Sequence, residues 1–100
     1  MNATKMPPVH PGEILMEDFM KPLGLSQNKL AEGLGVSPRR INEIVNFKRS
    51  VTADTALRLA RYFGTSAEVW TGLQSRYDLD VAMDELADRL DKEVTPLEAA

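Results

Sequence analysis

The residues between 37 and 49 hold the side chains whose types and spacing could do chemistry together. Arg39, Asn42, Glu43 and Asn46 follow the i, i+3, i+4, i+7 spacing that places side chains on one face of a helix. In a DNA major groove, Arg pairs with guanine and Asn with adenine along the base edge. Arg40 lies between that polar face and an apolar one. Ser37 and Pro38 open the segment, and a helix N-terminus favours phosphate. Lys48 and Arg49 follow in the turn FKRS, placed to clamp a backbone phosphate. Taken alone, such residues are also compatible with an ordinary solvated helix face, so the neighbouring sequence has to discriminate.

The elements that would position them are legible in SQNKLAEGLGVSPRRINEIVN, residues 26–46. Ser26 has the type and place of an N-cap, and Leu25 and Leu30 occupy the two positions of a hydrophobic staple. Eleven residues on the arrangement repeats: Ser37 caps, Pro38 takes the first helical position, and Val36 and Ile41 form a second staple. Gly35 stands between, where the first helix must end on a residue tolerant of positive φ. Two helices joined this tightly must cross steeply. Ile41, Ile44 and Val45 supply the buried face of the second. The pattern predicts a helix-turn-helix whose second helix presents Arg39, Asn42, Glu43 and Asn46 outward.

The chain has 100 residues, enough for one domain with a modest core. It has no cysteine and one histidine, which excludes a disulfide frame, a thiolate metal site and a thiol nucleophile, and argues against a protein-built zinc centre. No phosphate-binding glycine loop, serine elbow or metal-ligand spacing is present, so the expectation is no enzyme, no cofactor, no metal and no small-molecule substrate. No apolar run approaches the roughly 18 residues of a membrane span, and the N-terminus lacks a signal-peptide core; a cytoplasmic location without membrane contact is expected. The net charge of −3 argues against nucleic acid only on average. Residues 26–64 hold seven basic and three acidic groups, net +4, whereas residues 65–100 hold three basic and nine acidic, net −6. A DNA footprint needs a local basic patch and not a basic whole. The acidic third should face away from the duplex.

Residues 1–9, with two prolines and no periodicity, read as a flexible arm in which Lys5 could touch a phosphate or a partner. His10-Pro11-Gly12-Glu13 opens a first helix, with His10 or Gly12 as cap. Ile14, Leu15, Met16, Phe19 and Met20 form its apolar face, and Pro22 and Gly24 end it. Thr52 caps a helix ending at Gly64, with a stripe of Ala53, Ala56, Leu57, Ala60 and Phe63, and Arg58 and Arg61 solvated. Thr65 or Ser66 caps the next, whose apolar face is Val69, Trp70, Leu73 and Tyr77. Trp70 completes the core or else, with Tyr77, meets a partner. Leu79, Met83, Leu86 and Leu90 continue an amphipathic stripe in an acidic segment too short to be stable alone. The expected organisation is an arm over 1–9, a helix-turn-helix domain over 10–78, and an acidic helix and tail over 79–100. Trp70, Leu73, Tyr77, Leu79, Met83, Leu86 and Leu90 are the candidate dimer contacts.

From about His10 to Leu79 the chain resembles the HigA-type antitoxins, also called plasmid-maintenance antidote proteins, within the Xre/Cro-like helix-turn-helix regulators. HPGEIL, PLGLSQNKLAEGLGVSPRRINEIVN and VTADTALRLARYFGTSAEVW carry the likeness. One departure is Phe47, where glycine is expected. The resemblance implies an all-α, five-helix, lambda-repressor-like domain that dimerises, here followed by a short acidic helix. It implies neutralisation of a HigB-like toxin, a RelE-like mRNA endonuclease, and repression of the protein's own operon through palindromic double-stranded operator DNA. Carried onto this sequence, Gln27 would contact backbone phosphate, with Asn28 beside it. Pro38, Arg39 and Glu43 would face bases, with Ser37, Arg40, Asn42 and Asn46 adjacent. Lys48 and Arg49 would contact backbone. Pro38 can offer only an apolar contact. The competing readings are a stand-alone or phage-like regulator of the same fold without a toxin, and a pure interaction module whose acidic helix binds a basic partner.

Overall fold

The computed structural model describes residues 6–98 and is all-helical over them. Helix α1 spans residues 11–23: an α-turn Pro11–Ile14, a π-wound stretch Leu15–Met20, and a last turn Lys21–Leu23. Then come α2 (Gln27–Leu34), α3 (Pro38–Val45), α4 (Ala53–Phe63), α5 (Ala67–Leu86) and α6 (Arg89–Glu93). The expected five helices and short acidic appendage are therefore present, with different joints at the C-terminal end. No helix among the described residues is long and apolar enough to cross a membrane.

The π winding of α1 was not foreseen. Pro22 has no N–H and its ring clashes with the carbonyl four residues back. The chain relaxes immediately before it, where the Lys21 N–H bonds to the Met16 carbonyl five residues back. The wider turn brings Leu15 and Met20, five apart, into the core together at 0% and 1% exposure.

Serine and threonine caps start the other core helices as expected. Ser26, Ser37, Thr52 and Ser66 accept from the N–H three residues on. Of the two candidate caps for α5, Ser66 takes the role, and the Thr65 hydroxyl accepts from the Trp70 indole N–H at 2.9 Å. Leu30, Ala31, Leu34, Ile41, Ile44, Ala56, Leu59 and Trp70 meet in one core, closed over by Phe19 and Phe63. Two expectations for α4 are corrected. Ala56 and Leu59 face inward, so Leu57, one position round the helix, is turned to solvent. Arg58 is not simply solvated: its guanidinium donates to the Leu34 carbonyl at 2.8 Å and caps the end of α2.

The boundary expected at residue 79 is replaced by a continuous helix, α5, running through Leu79 to Leu86. The break comes at Ala87, at φ 44°. Leu79 and Met83 stand exposed on α5, while Leu90 lies beyond the break on α6, so the four leucine and methionine positions do not share one helix. Trp70 is fully buried and is withdrawn from the candidate dimer contacts. Of the arm, Met6, Pro7 and Val9 border a shallow groove with Leu73, Arg76 and Asp80 of α5. Lys5 lies outside the described residues.

Candidate nucleic-acid interface

The N-terminus of α2, the outer face of α3 and the loop after it form one continuous polar surface. Ser26 Oγ accepts from Lys29 N at 3.0 Å and Ser37 Oγ from Arg40 N at 3.2 Å, which fixes where each helix begins. Beneath, Ile41 and Ile44 are fully buried. A helix anchored on that face must hold residues 39, 42, 43 and 46 outward.

Those residues form two small networks. The Asn42 amide donates to Gln27 Oε1 at 3.1 Å, joining α3 to the first residue of α2. Asn46 Nδ2 folds back onto the Asn42 carbonyl at 2.8 Å. Glu43 sits between two arginines: Arg39 Nε donates to one carboxylate oxygen at 3.0 Å and Arg49 Nε to the other at 2.8 Å. The Arg49 and Arg39 hydrogen bonds hold the Glu43 carboxyl below its ordinary pKa, so it stays ionised at neutral pH. The carboxylate fixes both guanidinium groups on the outer face of α3. Ser37, Pro38, Asn28 and Lys48 are exposed beside them, and Lys48 has no ion-pair partner among the described residues.

Arg40 does not belong to this face. Its guanidinium reaches Asp54 at 2.9 Å and Thr55 at 3.3 Å and struts α3 against α4. Asp54 also takes Arg58 at 2.8 Å, and those two arginines, Arg58 foremost, lower its pKa. Arg40 is thus removed from the candidate base readers: it lies toward the apolar side of α3, where α4 packs.

Sequence reasoning missed the supports of the loop that follows. Gln74 of α5 is buried, accepts from Val51 N at 2.7 Å and donates to Asp78 at 2.9 Å. Its signal was available: a glutamine one turn after Trp70, on the apolar face. Phe47 has φ 65°, the left-handed backbone for which glycine is the usual residue. His10 is buried at 4% exposure, stacked on Phe47 with ring centroids 5.1 Å apart and edge-on to Tyr77 at 4.8 Å. Tyr77 is consequently committed to an internal contact. Among the described residues, no His, Asp and Glu group has the arrangement to hold a metal ion.

Comparison with known proteins agrees with this geometry. The helix-turn-helix family matches residues 16–70. Virulence-associated protein I of Dichelobacter nodosus is 59% identical over 78 residues, 78% of this chain and 72% of that protein. A HigA-family addiction module antidote protein from Coxiella burnetii superposes with TM-score 0.88 at 47% identity, covering 92% of this chain and 100% of the other. The Pseudomonas aeruginosa antitoxin HigA, solved with the higBA promoter, gives TM-score 0.87 at 43% identity, covering 91% and 99%. The chain therefore belongs to the helix-turn-helix family of DNA-binding regulators, in its Xre-like, HigA-type antitoxin branch.

Proposed function

We propose that this protein neutralises a HigB-like toxin and, as a dimer, represses its own operon by binding palindromic operator DNA. The observation that carries the DNA half is the continuous surface formed by Gln27, Asn28, Ser37, Pro38, Arg39, Asn42, Glu43, Asn46, Lys48 and Arg49, which lies within the basic third of the chain. Gln27, Asn28 and Ser37 take phosphate, Arg39 and Asn42 read base edges, Glu43 holds the arginines, and Lys48 and Arg49 grip the backbone. In a two-fold dimer the two α3 helices enter successive major grooves about 34 Å apart. Leu79, Met83 and Leu90, exposed at 59%, 59% and 44%, with the half-buried Leu73 and Leu86, offer the second copy an apolar contact. The acidic groups around them suit a basic toxin.

The test is binding of the full chain to a duplex taken from upstream of its own reading frame. Arg39→Ala is expected to cost roughly 1–3 kcal/mol and to relax preference at one operator position. Lys48→Ala is expected to weaken binding evenly across sequences and flatten its salt dependence. Unchanged affinity and preference in Arg39→Ala would remove Arg39 from the base-reading set. For the toxin half, co-expression with the adjacent reading frame should yield a co-purifying complex; a neighbour that is not a small basic protein favours a stand-alone regulator.

A further inference from the structure

The motif His10-Pro11-Gly12 opens α1, yet its side chains and backbone meet the far end of α3. His10 Nδ1 accepts from Gly12 N at 2.8 Å and caps α1. A neutral imidazole carries one N–H, so with Nδ1 accepting, the proton lies on Nε2. The Arg49 backbone faces the ring as well and favours its protonated form. One face of the ring stacks on Phe47, and Tyr77 meets it edge-on. Gly12 lies flat against the last turn of α3, where a Cβ would collide with the Ile44 carbonyl oxygen. Beyond that turn the chain reverses through Phe47, with Lys48 N bonded to the Glu43 carbonyl at 2.7 Å, and delivers Lys48 and Arg49. The loop therefore has two anchors outside itself, the His10 ring and Gln74, and the helical turn before it rests on the Gly12 backbone.

We propose that His10 is a positioning residue for DNA binding: its ring, held by the α1 cap, fixes the Phe47–Arg49 backbone and so sets where Lys48 and Arg49 meet phosphate. This rests on the reading of the α3 face as a duplex-binding surface. The imidazole is suited to the task because it joins a hydrogen-bonding edge to an apolar face. The edge serves α1 and the face stacks on Phe47 of the loop, so His10 links the two. The charged side chain that acts on the ring is Asp78 of α5; it and the Arg49 backbone of the loop favour the protonated form.

The edge and the face can be tested separately. His10→Asn keeps an acceptor for the Gly12 N–H but has no ring to stack on Phe47. His10→Phe keeps a ring against Phe47 and forfeits the cap. Affinity of the full-length wild type, both variants, Lys48→Ala and the His10→Asn/Lys48→Ala double variant is measured against the upstream duplex and an unrelated duplex, across salt concentrations. Helicity and melting temperature are followed in parallel. Positioning predicts that His10→Asn, folded at the assay temperature, binds several-fold more weakly to both duplexes. Its salt slope should fall by about one, as for loss of one phosphate contact. It predicts that Lys48→Ala adds little on top of His10→Asn, because the two act as a unit. It also predicts that His10→Phe, although it loses the cap, recovers the slope. If His10→Asn binds like the wild type, or if affinity in the series follows melting temperature with Asn above Phe, the proposal is overturned and the DNA reading stands. If the wild type binds neither duplex at low salt, the DNA reading itself falls and this inference with it.

Discussion

Helices α2 and α3 end in the same hydrogen-bond pattern and are stabilised in opposite ways. After α2, Gly35 N bonds to Glu32 O at 3.2 Å and Val36 N to Ala31 O at 3.0 Å; after α3, Phe47 N bonds to Ile44 O at 3.0 Å and Lys48 N to Glu43 O at 2.7 Å. Both are reversals of the Schellman type, and each needs a left-handed residue. At the first it is Gly35, φ 71°; at the second it is Phe47, φ 65°. Glycine adopts that backbone freely, whereas a residue with a Cβ loses about 1–2 kcal/mol there. The backbone of the first turn is therefore settled by Gly35 itself, and Arg58 of α4 adds a tertiary hydrogen bond to the Leu34 carbonyl. The second is settled by tertiary contacts, with the Phe47 ring on His10 offsetting the backbone strain. The turn that only joins two helices has a left-handed residue that needs no side-chain stack to hold it. The turn that delivers Lys48 and Arg49 is tied to α1 and α5.

Substitutions can break this comparison or sharpen it. The largest effect is expected from Gly12→Ala, which drives a methyl into the Ile44 carbonyl and separates α1 from α3; a loss of about 3 kcal/mol in denaturant unfolding is expected. Gly35→Ala should cost about 1–2 kcal/mol, because a Cβ adds left-handed strain and comes within 3.3 Å of an Arg58 nitrogen. Phe47 gives the sharpest contrast. Phe47→Ala keeps the strain and loses the stack, whereas Phe47→Gly loses both, so glycine should be the more stable variant by about 1 kcal/mol. If alanine and glycine at 47 have equal stability, the difference drawn between the two turns is wrong.

The smallest effect is one of pH. Burial lowers the His10 pKa from its ordinary value near 6.5, against the opposing pull of Asp78 and of the Arg49 backbone. A histidine whose folded pKa is depressed contributes stability that is complete above the unfolded pKa and is lost as pH falls through the folded one. The wild-type melting temperature should thus decline as pH drops below about 6.5 by more than that of His10→Asn. Parallel curves for the two proteins would exclude a neutral, cap-forming His10.

The helix-turn-helix was legible because its determinants are local. Ser26, Ser37 and Gly35 act within four residues of themselves, and Ile41 and Ile44 announce the buried face by spacing alone. The outward set Arg39, Asn42, Glu43 and Asn46 follows from that face as its complement. Arg40 and Arg58 were misplaced for a common reason. Each lies at the edge between an apolar and a polar face, where a neighbouring helix decides the direction: Asp54 of α4 takes Arg40, and the end of α2 takes Arg58. Trp70 offered two roles to the sequence, and packing against Phe19 and Phe63 chose the core.

The sequence by itself determined the number of core helices, the starts of α2, α3 and α4, the outward polar face of α3 and the split of charge between the middle and the end of the chain. These rest on caps, spacing and composition, which a residue carries wherever it goes. Only the tertiary structure decided that α5 runs unbroken through Leu79, that Pro22 is accommodated by a π turn, and that His10 belongs to the end of α3. His10 and Phe47 are 37 positions apart in the chain. No local pattern reports a contact across that distance; it exists because Gly12 has no side chain to keep α1 away from the last turn of α3.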